Sequence, residues 1–213
     1  MVSVPRSTCE DSPKAPDGAG VTEWRWNEES HAIMSRPEEI ELRFTPPHEQ
    51  KPGTIASLLK QSYAGLLECG PDKMSLEVPK WEQFDREVFE HPDTVGSCVF
   101  LSWCDDHLVG FGSYDPRQKP EVGIVGHNCV LPKFRGRGFG RQQLGEILRR
   151  FKEIGIRVAK ATTGDHPFFL PAQQMYAACG FRKTKRHPWG GNPSLNVIEY
   201  EKRLDNRDLW AAR

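Results

Sequence analysis

Residues 128–148 read NCVLPKFRGRGFGRQQLGEIL and hold the most informative pattern in the chain. An apolar strand ends near residue 131, a loop with three glycines follows, and an amphipathic helix begins after the loop. Glycines let the backbone approach a ligand closely, and N–H groups at a helix N-terminus attract negative charge. Arg135, Arg137 and Arg141 add positive charge. The stretch therefore predicts an anion site of the kind that binds phosphate groups.

Two familiar nucleotide-binding loops are excluded by the same residues. No Lys-Ser/Thr pair follows the glycines, so the loop is not a Walker A loop. The spacing G-x-G-x-x-G is absent, as is an acidic residue about 20 positions further on, so the loop is not a dinucleotide fingerprint. Taken alone, the loop leaves two alternatives open: a plain turn with solvated arginines, or an RNA contact through residues 135–138.

Regular elements extend outward from this stretch in both directions. Between residues 40 and 204, apolar residues alternate as in strands or recur at helical spacing, with Pro and Gly at the boundaries. The predicted order is strand, two helices, three strands, helix, strand, helix and two strands. This order predicts an α/β fold class with a mixed central sheet. The long connection at residues 186–194 is predicted to be a lid or a homodimer contact.

The two ends of the chain read differently from the middle. Residues 1–36 are rich in Pro, Gly and Ser and predict a poorly structured N-terminal extension, residues 37–205 form the predicted domain, and residues 206–213 form a tail. Trp24 and Trp26 are unusual in such an extension and predict packing on the domain or a partner-binding element. Met34 is a candidate second start, which would make the extension dispensable.

Composition limits the class of protein. The 213 residues include 29 Lys+Arg and 29 Asp+Glu, so the net charge of zero argues against a general nucleic-acid binder. None of the six cysteines forms a C-x-x-C pair, and no zinc-ligand spacing occurs, so no metal is expected. Neither a membrane span nor a signal peptide is recognisable, which predicts a cytoplasmic protein with reduced thiols.

A second motif lies about 35 residues after the glycine-rich loop. Residues 175–181 read MYAACGF and follow the next predicted strand. The two motifs together resemble the signature of the GCN5-related N-acetyltransferases, the GNAT family: V-x-P-x-x-R-G-x-G-x-G, then a helix with Tyr before Gly-Phe. The resemblance covers residues 40–204 and implies the GNAT fold. It further implies acetyl-CoA as co-substrate and transfer of the acetyl group to a primary amine, by direct attack in a ternary complex.

The resemblance also implies a cofactor site. In this family the loop backbone holds the pyrophosphate of acetyl-CoA, and the preceding strand pairs with the pantetheine arm. One strand N–H is expected to bind the acetyl carbonyl and so to act as an oxyanion hole. The positions that correspond in this chain are Asn128, Cys129, Val130, Arg135, Gly136, Arg137, Gly138, Phe139, Gly140 and Arg141.

Tyr176 matches the general acid of the family, which protonates the leaving thiolate. The general base has no match at its usual positions on the central strand. These positions are Ile124 and Gly126 here, and neither side chain titrates. His127 and His166 are the preferred candidates, with strand alternation turning His127 to the other face unless a bulge intervenes. Glu121, Asp165 and a water chain are weaker alternatives.

The amine acceptor is predicted only by class. Residues 68–93 are mainly acidic, and in this family the corresponding helices form one wall of the acceptor cleft. They predict a small-molecule or peptide amine with a cationic character, or simply a charged helix surface. A covalent route through Cys129 is disfavoured because strand alternation sets it opposite Asn128 and Val130. Because no titratable side chain occupies the usual base positions, a second class of protein stays open, a non-catalytic acyl-CoA-binding regulatory module. The presence of Tyr176 argues against this alternative.

Overall fold

Seven strands and five α-helices form the part of the chain described by the structure, a computed structural model that covers residues 40–69, 77–189 and 192–204. The predicted N-terminal extension with Trp24, Trp26 and Met34, and the predicted tail 206–213, lie outside these residues. The elements are β1 (Arg43–Thr45), α1 (Thr54–Ser62), α2 (Ala64–Cys69), α3 (Val78–Glu90), β2 (Val99–Cys104), β3 (His107–Gln118), β4 (Val122–Val130), α4 (Phe139–Glu153), β5 (Val158–Gly164), α5 (Leu170–Ala178), β6 (Arg182–Trp189) and β7 (Asn192–Arg203).

The predicted α/β fold with a mixed central sheet is confirmed, with two local differences. The helix predicted after the first strand is interrupted at Tyr63, so that α1 ends at Ser62 and α2 begins at Ala64. The connection predicted over residues 186–194 belongs mostly to β6 and β7, which pair as an antiparallel hairpin. The prediction of a long loop there is therefore wrong, because the two strands continue pairing well beyond their apolar segments.

The sheet order is β1-β2-β3-β4-β5-β7-β6, and all neighbouring strands are antiparallel except β4 and β5. The parallel pairing of β4 with β5 consists of three residue pairs and ends at Ile124 and Lys160. Both strands continue beyond these residues, β4 to Val130 and β5 to Gly164. We call the gap between these two continuing segments the splay.

Apolar side chains on both faces of the sheet hold the layers together. Ile55 and Leu59 of α1 are fully buried against one face, in a cluster that includes Phe111 of β3. On the other face, Leu144 and Phe151 of α4 are fully buried, as the helical spacing of the sequence predicts. Burial of each such side chain stabilises the fold by about 1.5–3 kcal/mol. Among the described residues, no helix is both long and apolar enough to cross a membrane.

The buried carboxylate of Asp85 holds the N-terminus of α1. Its Oδ2 accepts a hydrogen bond from the N–H of Gly53 at 2.6 Å, and its Oδ1 accepts from Ile55 and Ala56 at 2.8 and 3.1 Å. These three N–H groups belong to the helix end, where no intrahelical partner exists. Asp85 therefore supports the fold, and the sequence-based view that it belongs to an acidic wall is incorrect for this residue.

We expect Asp85→Ala to lower the free energy of unfolding by about 2–3 kcal/mol, because three buried donors lose their partner. Chemical denaturation measures this difference. Glu82→Gln is the matched control, since Glu82 lies on the same helix and forms a surface pair with Lys60. The control should unfold at nearly the wild-type midpoint, and an equal loss in both variants would contradict the capping role.

Candidate active site

The splay leaves one edge of β4 open. The N–H of Leu131 donates to the carbonyl oxygen of Val109 on β3 at 2.9 Å. Because N–H groups of successive residues point to opposite sides of an antiparallel strand, those of Asn128 and Val130 point away from β3 and into the splay. An extended ligand with amide groups can pair with such an edge as an additional strand would.

The glycine-rich loop lies at the end of this open edge. Gly136 and Gly138 have φ values of 77° and 82°, a conformation that favours glycine, and α4 begins directly after Gly138. A Cβ added at either position would meet nothing within 4 Å, so the space beside both glycines is open. The N–H groups of Phe139 and Gly140 precede the first hydrogen bonds of α4, which begin at Arg141, and they favour an anion. The predicted anion site therefore has a suitable backbone.

The three loop arginines have different surroundings. Arg135 donates to the carbonyl oxygens of Val130 at 3.1 Å and Ser62 at 2.5 Å, and its guanidinium lies 5.5 Å from the ring centre of Phe168. It thus joins the end of β4 to the end of α1. Arg137 and Arg141 are exposed at the helix N-terminus and add positive charge there.

The residues present fit coenzyme A, which carries both phosphates and an amide-bearing arm. The open glycine positions and the helix N-terminus suit the phosphates, and the β4 edge suits the amides. The side chain of Asn128 adds a further observation. Its Nδ2 donates to the carbonyl oxygen of Gly140 at 3.0 Å, while its buried Oδ1 has no partner among the described residues. Within those residues no cluster of metal ligands occurs.

Three hydroxyl-bearing side chains gather around Cys129, which is 3% exposed. Tyr63 and Ser62 lie close enough to the Sγ atom to lower the pKa of the thiol, and Tyr176 lies close enough for its phenol and the thiol to interact electrostatically. Burial is the larger effect and raises the pKa of the Cys129 thiol to about 12, although these hydroxyls and Arg135 partly oppose the shift. A neutral thiol is a poor nucleophile, which weighs against a covalent route through Cys129.

Tyr176 lies on α5 and is 4% exposed. Its ring packs on those of Phe181 and Tyr200, with ring centres 5.4 and 5.3 Å apart. Burial raises the pKa of its phenol well above the usual range, with a smaller contribution from Cys129. The hydroxyl is therefore protonated at neutral pH, which is the state that a general acid requires.

Tyr63 is a site residue that the sequence-based reasoning missed. It occupies the break between α1 and α2, and burial raises the pKa of its phenol, as do Cys129 and Tyr176. Two protonated phenols therefore flank the same thiol. No pattern in the sequence signals Tyr63, because its position depends on where the helix breaks. Its proximity to Cys129 is a contact between distant parts of the chain.

A β-bulge decides the orientation of His127. Pairing with β3 shifts between Asn128 and Val125, so that one extra residue of β4 lies opposite Ser113. The bulge turns the His127 ring towards α3, where its centre lies 5.3 Å from that of Phe84. Burial lowers the pKa of the imidazole to about 4, although the carboxylate of Glu77 opposes the shift. His127 is therefore a neutral imidazole at pH 7.

The other candidate bases are in structural contacts. His166 accepts a hydrogen bond at Nδ1 from the N–H of Phe168 at 3.2 Å and so caps a short turn after β5. Asp165 is paired with Arg186 through two guanidinium nitrogens. Glu121 precedes β4, at the end of that strand opposite to the glycine-rich loop, and its carboxylate lies 3.9 Å from the guanidinium of Arg157. Of these residues, His127 is the one brought to the α3 side of the splay.

We expect acid to destabilise the protein through His127. Its pKa is near 6.5 in the unfolded chain and about 4 in the folded chain, so the unfolded chain binds the additional proton between these values. Stability therefore falls as the pH falls from 6.5 to about 4, by about 2 kcal/mol after allowance for the partial exposure of the ring. Denaturation at several pH values should show a flatter dependence for His127→Gln. Identical profiles for the two proteins would contradict the assignment.

The chain belongs to the GNAT family of acetyltransferases. The family model described as "Acetyltransferase (GNAT) family" matches residues 56–181, which include β4, the glycine-rich loop and α5. The predicted family is thereby confirmed. No curated protein sequence matches the chain significantly.

Solved structures with a similar fold include several acetyltransferases. A Desulfovibrio desulfuricans protein assigned as an acetyltransferase of the GNAT family is 18% identical, with a TM-score of 0.61 over 78% of this chain and 100% of its own. A Bacillus subtilis acetyltransferase in complex with CoA is 16% identical, with a TM-score of 0.53 over 78% and 100%. Salmonella typhimurium yncA, assigned as an acetyltransferase and solved with acetyl-CoA, is 14% identical, with a TM-score of 0.52 over 78% and 95%. At these identities the likeness concerns the fold.

Proposed function

We propose that the chain is an acetyl-CoA-dependent N-acetyltransferase that acetylates a primary amine by direct attack. The observation that carries this proposal is the open edge of β4. It begins where pairing with β5 ends at Ile124 and leads to the glycine-rich N-terminus of α4. One end of the splay is thus suited to phosphates, and the same stretch of β4 carries His127 and Cys129, whose thiol interacts electrostatically with Tyr176. The relatives solved with CoA or acetyl-CoA support use of the same co-substrate.

The residues proposed to hold the co-substrate divide into three groups. The backbone of Asn128, Cys129 and Val130 lies along the pantetheine arm, and a β4 N–H stabilises the negative charge on the acetyl oxygen during attack. The loop backbone from Gly136 to Gly140, including Gly138 and Phe139, binds the pyrophosphate, and the cations of Arg137 and Arg141 strengthen this binding. Arg135 acts differently, since its contacts hold the loop against α1.

Proton transfers are assigned to two side chains on either side of the thioester. The nitrogen of the amine attacks the carbonyl carbon, and His127 accepts a proton from that nitrogen through its neutral imidazole. Tyr176 donates its phenolic proton to the sulfur as the carbon–sulfur bond breaks, so that CoA leaves as a thiol. His166 is the second candidate for the base, although its Nδ1 already accepts a hydrogen bond.

Thiol release from acetyl-CoA, measured with the full chain over a panel of amines, tests the proposal. We expect release that depends on the amine, with an acetylated amine of the corresponding mass. Calorimetric titration with CoA provides a parallel measurement of binding. Binding of CoA without turnover of any amine would contradict the enzymatic assignment and favour the regulatory module. Absence of CoA binding would contradict both functions.

A further inference from the structure

An unusual number of aromatic rings surrounds the α3 side of the splay. We call this group the aromatic belt. Its six members are Tyr63, Trp81, Phe84, His127, Phe168 and Phe169. They come from the break between α1 and α2, from α3, from β4 and from the turn after β5. The residues are far apart in sequence, so their assembly is a property of the fold.

Contacts between rings form two groups within the belt, and these groups meet on α3. Tyr63 stacks on Trp81 with ring centres 5.3 Å apart, and it packs on Phe168 at 5.9 Å and Phe169 at 6.3 Å. Trp81 and Phe84 are three residues apart on α3 and therefore lie on the same face of that helix. Phe84 in turn lies 5.3 Å from His127. The belt thus extends from the turn after β5 to the proposed base.

The rings of the belt are only partly covered. Trp81 is buried, whereas Tyr63, Phe84, Phe168 and Phe169 are half-buried, as is His127. Each half-buried ring presents apolar surface beside the reacting groups. Apolar surface gathered in this way around a few polar groups is typical of ligand sites. The belt is therefore a candidate surface for the part of the amine substrate that does not react.

Three carboxylates on and before α3 are engaged in contacts of their own. Of the acidic residues on and before α3, Asp85 is buried as a helix cap, and Glu82 pairs with Lys60. Glu77 is the carboxylate that interacts with His127, and it also forms a pair with Lys80 at 2.7 Å. Glu77, Glu82 and Asp85 are therefore already engaged, whereas Glu87 and Glu90 of α3 form no ion pair within the described residues. One carboxylate near His127 suits one ammonium group.

We propose that the amine acceptor carries its primary amine on a short chain attached to a flat aromatic ring. The ring packs against the aromatic belt, and the amine lies towards His127 and Glu77. This inference rests on the proposed function, since it concerns the same site. Stacked and edge-to-face arrangements of rings add to the effect of burying apolar area, so a flat ring binds better than a saturated ring of similar size.

Three amines test the inference. They are 2-phenylethylamine, its saturated counterpart 2-cyclohexylethylamine, and the polycation spermidine. The first two amines carry the same amino group on the same short linker, so their comparison isolates the effect of the flat ring. We expect kcat/KM for the aromatic amine to exceed that for the saturated amine by about fivefold, and that for spermidine by a larger factor.

Substitutions in α3 test whether Phe84 causes the preference for a flat ring. Phe84→Ala should lower kcat/KM for 2-phenylethylamine by about tenfold, with KM for acetyl-CoA unchanged. Phe89→Ala is the matched control, because Phe89 is a half-buried phenylalanine on the same helix that lines a separate surface cavity with Pro46, Pro92 and Val99. Phe84→Leu keeps apolar bulk without a ring, and it should lose the preference for the flat ring even if Phe84→Ala fails to fold.

The outcomes separate this inference from the function on which it rests. Turnover of all three amines with equal kcat/KM, or preference for spermidine, would overturn the aromatic class and leave the acetyltransferase intact. Loss of the preference in Phe89→Ala to the same extent as in Phe84→Leu would also overturn it. Absence of turnover with every amine, although CoA binds, would overturn both proposals.

Discussion

Tyr176→Phe is expected to lower kcat for amine acetylation by at least about 100-fold, with KM for acetyl-CoA changed less than about twofold. The substitution removes one oxygen atom and leaves the ring between Phe181 and Tyr200 in place. Its effect therefore reports on proton donation to the leaving thiolate rather than on packing. The phenol is protonated at neutral pH, and burial raises its pKa further, so the proton is present throughout the usual assay range.

Tyr200→Phe provides the matched control for this prediction. Tyr200 is 5% exposed, its ring centre lies 5.3 Å from that of Tyr176, and burial raises the pKa of its phenol as well. Removing its hydroxyl should leave kcat near the wild-type value. Steady-state kinetics on both variants decide the matter: a Tyr176→Phe enzyme with more than half of the wild-type kcat would refute the role of general acid.

Gly138→Ala is expected to weaken CoA binding by about 100-fold. The residue has a φ of 82° and precedes the first residue of α4, with open space where a Cβ would lie. We expect a methyl group in this space to obstruct the phosphates, with the loss of two charge-assisted hydrogen bonds at about 1.5 kcal/mol each. Calorimetric titration with CoA measures the change in Kd directly.

The same helix supplies a control for the backbone strain. Gly155 follows the C-terminal end of α4, has a φ of 77°, and would also place a Cβ in open space. Gly155→Ala should therefore lower the free energy of unfolding by about 1 kcal/mol, as Gly138→Ala does, because alanine disfavours a positive φ. Its Kd for CoA should remain that of the wild type. If both variants bound CoA equally weakly, the loss of binding would be due to a destabilised helix and not to the loop.

The features that the sequence predicts well are those encoded by neighbouring residues. The strand, the glycine-rich loop and the helix that follows occupy one continuous stretch, and their order alone implies the local backbone. Tyr176 is predicted in the same way, because the Gly180-Phe181 pair follows it within one motif, and its role as general acid stays a prediction. The amphipathic helix predicted after the loop is α4, in which Leu144 and Phe151 are buried, whereas Ile154 at its C-terminal cap is 41% exposed.

The features that the sequence does not predict depend on contacts between distant residues. Asp85 looks like part of an acidic helix surface, yet its carboxylate accepts hydrogen bonds from the start of α1, about 30 positions away. The direction of His127 depends on one extra residue in the pairing of β4 with β3. Tyr63 depends on a break between helices that no Pro or Gly marks at that position.

The three residue pairs between β4 and β5 divide the sheet into two leaves, one of four strands and one of three. Within the described residues, backbone hydrogen bonds between the strands of the two leaves are confined to this short seam and to residues 120–121 and 157–158 directly before it. An extended ligand lying in the splay would lengthen this short pairing between the leaves. In addition, a ligand that binds the folded chain and not the unfolded chain stabilises the fold by mass action. The co-substrate of such a sheet is therefore also a structural partner, and its binding makes the two leaves unfold more nearly as one unit.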